Sequence, residues 1–388
     1  MEFSLTEDQQ SIRTAVAELA SRFDSQYWMD HDQSKEFPAE FYDAFAEGGW
    51  LGITIPPEYG GHGFGITEAS LLLQEVAASG AGMNGASAMH LSIFGMHPVV
   101  VHGSDELKND TLPRIADGSL HVCFGVTEPG AGLDTTQIST YARRDGSDYV
   151  VNGRKVWISK AAESEKILLL TRTQKPDEVE KRTDGMTLFL TDVKAPGIEI
   201  RPIKKMGRNA VTSNEIYIDD LRIPESHRVG EEGQGFKYLL DGLNPERILV
   251  ASEALGIGFA ALKAAVEYGN DRVVFNRQIG KNQGIQFPLA DSLARLESAE
   301  LILRKAGWLY DDGQPCGKEA NMAKYLCADA GFDAADRALQ THGGMGYSEE
   351  YPVARLFREA RLTRIAPISQ EMILNFLGSH VLKLPRSY

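Results

Sequence analysis

Apolar residues recur along this chain with two periods, and the switches between them divide it into three parts. The first part has helical spacing. Thr6 and Gln9 stand at capping-box separation, and Ile12, Val16, Leu19 and Phe23 then share one face. Helical text continues at 39–47 and 67–79, interrupted by the glycine-rich segment 59–65. Small residues at 77–88 lead into an apolar stretch, 90–103, that predicts a buried helix. Residues 1 to about 118 therefore read as an all-helical domain.

From Val122 the period shortens to the alternation of strands. An apolar run, Val122 to Val126, breaks at Glu128-Pro129-Gly130-Ala131-Gly132, and strand-like runs follow at 148–158, 166–172, 186–191, 198–203 and 214–222. Asn152-Gly153, Asp184-Gly185 and Pro196-Gly197 punctuate them, and the charged text at 173–185 predicts a solvated loop. After 230–236 the helical period returns at 244–270, 287–311, 318–343 and 369–384, the pattern of a four-helix bundle. Long helices with two apolar faces bury the second one against a partner. The predicted fold class is α+β and mainly α: an N-terminal helical domain (1–118), a central β-barrel-like domain (119–230) and a C-terminal bundle (231–388).

Composition narrows the chemistry. With 43% hydrophobic and 24% charged residues the chain is an ordinary globular protein, and a net charge of −14 argues against nucleic acid as a partner. Cys123, Cys316 and Cys327 are too few and too scattered for a disulfide framework or a metal site, which suits a reducing cytoplasm. The amino terminus lacks the basic start and apolar stretch of a signal peptide, and no run approaches the ~18 apolar residues of a membrane span. The nine histidines show no metal-ligand spacing, and no Walker or Rossmann fingerprint sits between a strand and a helix.

The glycine and proline break after Val126 lets backbone approach a ligand closely. Its wording, FGVTEPGAGLD with KVWIS further along, resembles the flavin-binding middle segment of the acyl-CoA dehydrogenase family. The helix, β, helix order of the whole chain is similar too. The resemblance implies FAD as cofactor, with Phe124, Val126 and Thr127 along one flavin face, Gly132 in the turn, Trp157 packing against the isoalloxazine and Ile158 among the cofactor-binding positions. Ser159 would reach N5, while Leu133 stands where many relatives have a serine that donates to cofactor or substrate. Arg272, Phe275 and Gln283 match pyrophosphate-side positions; Gln340, Gly343 and Gly344 match the adenine end; Ser369 and Glu371 match carboxyl-terminal cofactor contacts. Some of these reach a neighbouring subunit's flavin in the family, so the resemblance implies a homotetramer.

The expected base is Glu246. Asn244 suits an N-cap and Pro245 a first helical position, which would put Glu246 and Arg247 in a helix's first turn. In the family the base is a glutamate either there, as in isovaleryl-CoA and long-chain acyl-CoA dehydrogenases, or near the carboxyl terminus. The second place falls on Pro367, which cannot take a proton and has no N–H to give a thioester carbonyl. The neighbouring Ile368 N–H could take over that bond, or the carbonyl is held differently. Asn244 and Arg247 match substrate-side positions. The helix terminus would lower the pKa of Glu246 and desolvation would raise it. The implied reaction is FAD-dependent α,β-dehydrogenation of an acyl-CoA in fatty acid metabolism, with proton abstraction by Glu246, hydride transfer to N5 and electrons passed to an electron-transferring flavoprotein. The alternatives are a same-fold flavoenzyme using oxygen or a different leaving group, and a noncatalytic acyl-CoA-binding homologue.

Overall fold

A computed structural model describes residues 4–385, so the outermost residues of the first and third predicted domains, 1–3 and 386–388, lie outside the described residues. The N-terminal part is helical: α1 (Glu7–Ala20), α2 (Ser25–Ser34), α3 (Ala39–Glu47), α4 (Ile66–Val76), α5 (Gly82–His90), α6 (His97–His102) and α7 (Asp105–Ala116). The capping box forms as its spacing predicts, the Gln9 N–H donating to Thr6 Oγ1 and the Thr6 N–H to Gln9 Oε1, each at 3.2 Å. The stretch 90–103 is largely buried but is not one helix. α5 stops at His90, a π turn spans Leu91–Gly95, and α6 restarts at His97. Pro98 explains the restart, because its missing N–H is harmless only in a first helical turn.

The central strands are β1 (Val122–Gly125), β2 (Tyr141–Asp145), β3 (Asp148–Ser159), β4 (Lys166–Arg172), β5 (Met186–Asp192), β6 (Ile198–Pro202), β7 (Ser213–Pro224) and β8 (Arg228–Val229). They form a mixed sheet ordered β6-β7-β3-β2-β4-β5-β8, with β1 parallel to β4. β2 escaped the strand pattern because Arg143, Arg144 and Asp145 are exposed and carry no apolar alternation. β4 is buried on both faces: Leu168 and Leu170 pack with Leu188 and the helical domain's Ile115, while Ile167 and Leu169 join Tyr149, Phe189 and Ile216. Beyond β1, the Val156 N–H donates to the Thr127 carbonyl at 2.9 Å, so the sheet curls back on itself. The charged segment 173–185 is the predicted loop, joining β4 to β5.

The last part holds α8 (Gly235–Asp271), a short hairpin of β9 (Val273–Val274) and β10 (Arg277–Gln278), then α9 (Gln283–Asp311), α10 (Gly317–His342), α11 (Pro352–Thr363) and α12 (Gln370–Phe376). The bundle is α8 to α11. Its fourth member is α11 rather than the run predicted at 369–384, of which α12 and a π turn at Leu377–Val381 are helical. α11 was hidden in the sequence because its buried face carries Arg355 and Glu359, which form an ion pair at 2.9 Å.

Two further expectations about α8 are corrected. Asn244 is not an N-cap, since the helix begins at Gly235 and Pro245 lies in its interior. The turns before the proline bury Tyr238, Leu239 and Gly242, and that packing offsets the roughly 3 kcal/mol an interior proline costs. α8 is also long and apolar enough, by length and composition, to cross a membrane, against the expectation that no run approaches a span. Its most apolar window is 83% buried inside the protein, where it serves as the central core helix.

Close backbone approach holds α8 in place. A Cβ added at Gly331 of α10 would collide with the Ala254 carbonyl oxygen, and one at Gly256 would collide with the Gln74 carbonyl oxygen of α4. No side chain fits between these helices. Gly331→Ala is expected to lower stability by about 1 to 3 kcal/mol through overpacking, seen as a lower Tm. Gly284→Ala, where an added Cβ meets nothing within 4 Å, is the control and should leave Tm unchanged or slightly raised.

Candidate active site

The turn after β1 is organised by a buried carboxylate. Glu128 accepts from the Ser139 N–H at 2.7 Å, the Ser139 hydroxyl at 2.9 Å, the Thr140 N–H at 3.0 Å and Lys155 Nζ at 2.9 Å. Lys155 Nζ also donates to the Val126 carbonyl at 3.0 Å. Burial works against the Glu128 charge, but the Lys155 ammonium and the bonds from Thr140 and Ser139 outweigh it and hold the carboxyl below its usual range. Burial pulls Lys155 down to about 8 although Glu128 favours its charge. The 128–132 turn is thereby fastened to β3, with Gly132 and Leu133 at its exposed rim.

β3 changes register between Lys155 and Ile158, and Trp157 sits in the irregularity with φ of 63°. A non-glycine residue rarely adopts that conformation, and here it turns a large ring outward: Trp157 is 58% exposed while Ile158 is buried. Phe124 in β1 and Val126 just beyond it are half-buried, and Ser159 ends β3. Lys160 follows, also at positive φ, with Nζ on the Ala88 carbonyl at 3.0 Å and 4.1 Å from the Tyr42 ring centroid. Burial pulls its pKa down to about 7. That bond joins the end of β3 to α5.

α5 in turn meets α8. His90 Nδ1 lies 2.7 Å from Glu253 Oε1, both side chains buried. Glu246 is two helical turns before Glu253 on the same face of α8. It is half-buried, and desolvation raises its pKa despite the opposing charges of His90 and Arg247. The anticipated helix-terminus effect is absent because the helix starts three turns earlier and such fields fade within one turn. Arg247 Nη1 donates to Asn244 Oδ1 at 3.0 Å, on the side of α8 that meets the start of α10. Phe94, 6.5 Å from Phe124 between ring centroids, packs beside Gly242 and links this part of α8 to β1. A small recess lined by Ile66, Ile93, Phe94 and Met96 opens beside Pro245.

The segment after α11 lies at the same end of the bundle. Lys324 Nζ, buried in α10, donates to the Ile368 carbonyl at 2.6 Å, and Ser369 caps α12 by accepting from the Met372 N–H at 3.4 Å. Glu371 is exposed in the first turn of α12, near enough to Lys324 to favour its charge. Neither the Ile368 nor the Ser369 N–H meets an acceptor among the described residues.

Arg272, Phe275, Gln283, Gln340, Gly343 and Gly344 are brought together elsewhere. Tyr268 stacks on His342 at 4.2 Å, which sets the end of α8 beside the end of α10, and the β9–β10 hairpin projects from there. Phe275 at its tip is 95% exposed, and all six of these residues are exposed. At 1.5 Å per residue, α8 separates Glu246 from this end by roughly 38 Å.

Three family models cover nearly the whole chain: the acyl-CoA dehydrogenase N-terminal domain over residues 6–119, the middle domain over 123–221 and the C-terminal domain over 233–382. The chain belongs to the acyl-CoA dehydrogenase family. It is 39% identical over 392 residues to acyl-CoA dehydrogenase fadE12 of Mycobacterium bovis, covering 100% of this chain and 99% of the relative. Its structure is similar to butyryl-CoA dehydrogenase from Megasphaera elsdenii, with TM-score 0.93, 30% identity and coverage of 98% and 100%. It is also similar to a chain in a structure described as the electron transferring flavoprotein of Acidaminococcus fermentans, with TM-score 0.92, 32% identity and coverage of 99% and 100%.

An acyl-CoA dehydrogenase is an FAD enzyme, and this chain has the surface for that group. Trp157 and Phe124 offer apolar faces beside a backbone-lined turn, and an added Cβ at Gly130 or Gly132 would meet nothing within 4 Å. Two buried ion pairs beside these residues were missed in sequence. Glu128 and Lys155 pair across a turn, and His90 and Glu253 across two domains, so no local spacing announces either pair. The one available signal was a lysine, Lys155, at an inward position of an alternating strand. Replacing Lys155 by methionine leaves Glu128 buried without its cation, a loss of about 3 to 5 kcal/mol. The purified variant is expected to carry less flavin, read from its flavin-to-protein absorbance ratio; full occupancy would show that the turn does not depend on this pair.

Proposed function

We propose that the protein oxidises an acyl-CoA thioester between Cα and Cβ, with Glu246 as the base. The observation that carries this reading is a desolvated carboxylate on α8, linked through Phe94 to the strand that carries Phe124. Glu246 takes the α-proton, and its raised affinity for protons narrows the gap to a weakly acidic carbon. Bound FAD supplies the acceptor for the β-hydrogen and its electron pair, which leaves a double bond between the two carbons. Pro367 contributes no N–H, so the thioester oxygen is held by the Ile368 or Ser369 N–H, neither of which meets an acceptor among the described residues. Asn244 and Arg247 flank the base and orient the CoA side of the substrate.

The active unit is a homo-oligomer, with a tetramer expected from the family. One FAD cannot span the distance between the Glu246 end of α8 and the exposed group around Arg272 and Gln340, so a second copy supplies that group. Phe287, Leu301 and Trp308 stand exposed at heptad spacing on α9, a face suited to the contact. Electrons pass to an electron-transferring flavoprotein, a reading supported by the similarity to the Acidaminococcus fermentans structure. The buried free thiols of Cys123, Cys316 and Cys327 suit a cytoplasmic place in fatty acid metabolism.

Glu246→Gln is expected to slow flavin bleaching by acyl-CoA roughly 100- to 10,000-fold with FAD retained. Because desolvation raises this carboxyl, the wild-type rate should fall as pH drops through a value above the ordinary glutamate pKa of about 4.3. An unchanged rate in the variant would remove Glu246 from the reaction. Rapid oxygen uptake during turnover without an added acceptor would replace the flavoprotein partner with an oxidase reading.

A further inference from the structure

Of the charged side chains around Glu246, those of His90 and Glu253 neither take the proton nor hold the substrate. From α8 itself come Arg247 and Glu253, and from α5 comes His90. Arg247 is a permanent cation engaged with Asn244. His90 is buried beneath the π turn, with Phe94 packed at 5.4 Å between ring centroids, and its Nδ1 is 2.7 Å from Glu253. The groups facing His90 are Glu253 and Glu246, which favour its charge, and Arg208 from the loop before β7, which opposes it. Arg208 donates to Ser213 Oγ at 2.6 Å and also faces Glu253.

We propose that His90 is a positioning residue whose imidazolium, secured by Glu253, keeps Glu246 ionised and ready to accept the α-proton. This rests on the reading of Glu246 as the base. A buried imidazole without a counter-charge is neutral, because desolvation disfavours its cation. Glu253 reverses that balance and leaves a buried cation beside the face of α8 that carries Glu246, with the accompanying negative charge two turns farther along the helix. The pair therefore acts on Glu246 as a dipole with its positive end forward. A pair that only fastened α5 to α8 would need the hydrogen bond and not the charge, and that difference makes the two roles separable.

The test uses the FAD-loaded enzyme and neutral variants that preserve the hydrogen bond. In Glu253→Gln the amide still accepts from His90, but His90 loses its cation, and the acid limb of the bleaching rate should move up on the order of one pH unit. His90→Gln should move it in the same direction. An acid limb that stays put in both variants, or moves down, overturns the proposal. Thermal unfolding without substrate gives a second readout. The folded pKa of His90 is raised, so its stabilisation is fully present below the unfolded pKa and is lost as pH rises through the folded value. The Tm advantage of wild type over His90→Gln should therefore shrink with rising pH, and an advantage that is flat with pH also overturns the proposal. Glu246→Gln is measured alongside: full activity there sinks the base itself, whereas an inactive Glu246→Gln with unshifted His90 and Glu253 variants sinks only their part.

Discussion

Two buried cationic bonds on one short helix hold the site together. α5 receives Lys160 from the end of β3 on its Ala88 carbonyl, and it sends His90 to Glu253 on α8. Each bond removes a charge from water, a cost of several kcal/mol that is recovered only where partner geometry is good. α5 is consequently fixed on both sides, and the end of the strand bearing Trp157 and Ser159 keeps its distance from the helix bearing Glu246. Lys160 gains further support from the faces of Tyr42 and Phe37, at 4.1 and 5.2 Å. The surrounding close contacts of Gly256 and Gly331 fix α8 against sliding, so the bonds on α5 have a rigid partner.

The same arrangement explains what the sequence could and could not reveal. Helical and strand periods report which face of an element meets the core, and that information recovered most of the strands and the long helices. It failed where a buried face is polar. α11 buries Arg355 and Glu359, and β2 exposes its charges without burying an apolar row. The start of α8 was misread for a related reason: Asn244-Pro245 has the local chemistry of a helix opening, while the packing of Tyr238 and Leu239 decides the outcome from outside the segment. Family wording pointed to Glu246, Trp157 and the FAD positions. Glu128, Lys155, His90 and Glu253 are legible only in three dimensions, because each pairs with a residue distant in sequence.

A division of labour runs along α8. Its first half carries the carboxylate and meets the N-terminal domain and the curled sheet. Its far end carries the exposed hairpin and lies beside the glycine-rich end of α10. A helix is stiff over this length, so the two groups cannot approach each other within one chain. Phe275, Gln340, Gly343 and Gly344 are accordingly exposed together at the end of α8 remote from Glu246.

Pro367 imposes the remaining constraint. A proline at this position removes a backbone donor, yet the segment around it is not slack. Lys324, buried and pulled down to about 8 by desolvation, puts its ammonium on the Ile368 carbonyl. The C=O and N–H of a trans peptide point in opposite directions, so a cation that fixes the Ile368 carbonyl also directs the Ser369 N–H away from itself. Polarising the carbonyl strengthens that N–H as a donor. Ser369 then commits its hydroxyl to capping α12, which leaves its N–H as the group with unspent hydrogen-bonding capacity. Of the two N–H groups that follow Pro367, the one on Ser369 is thus directed by a lysine from a different helix.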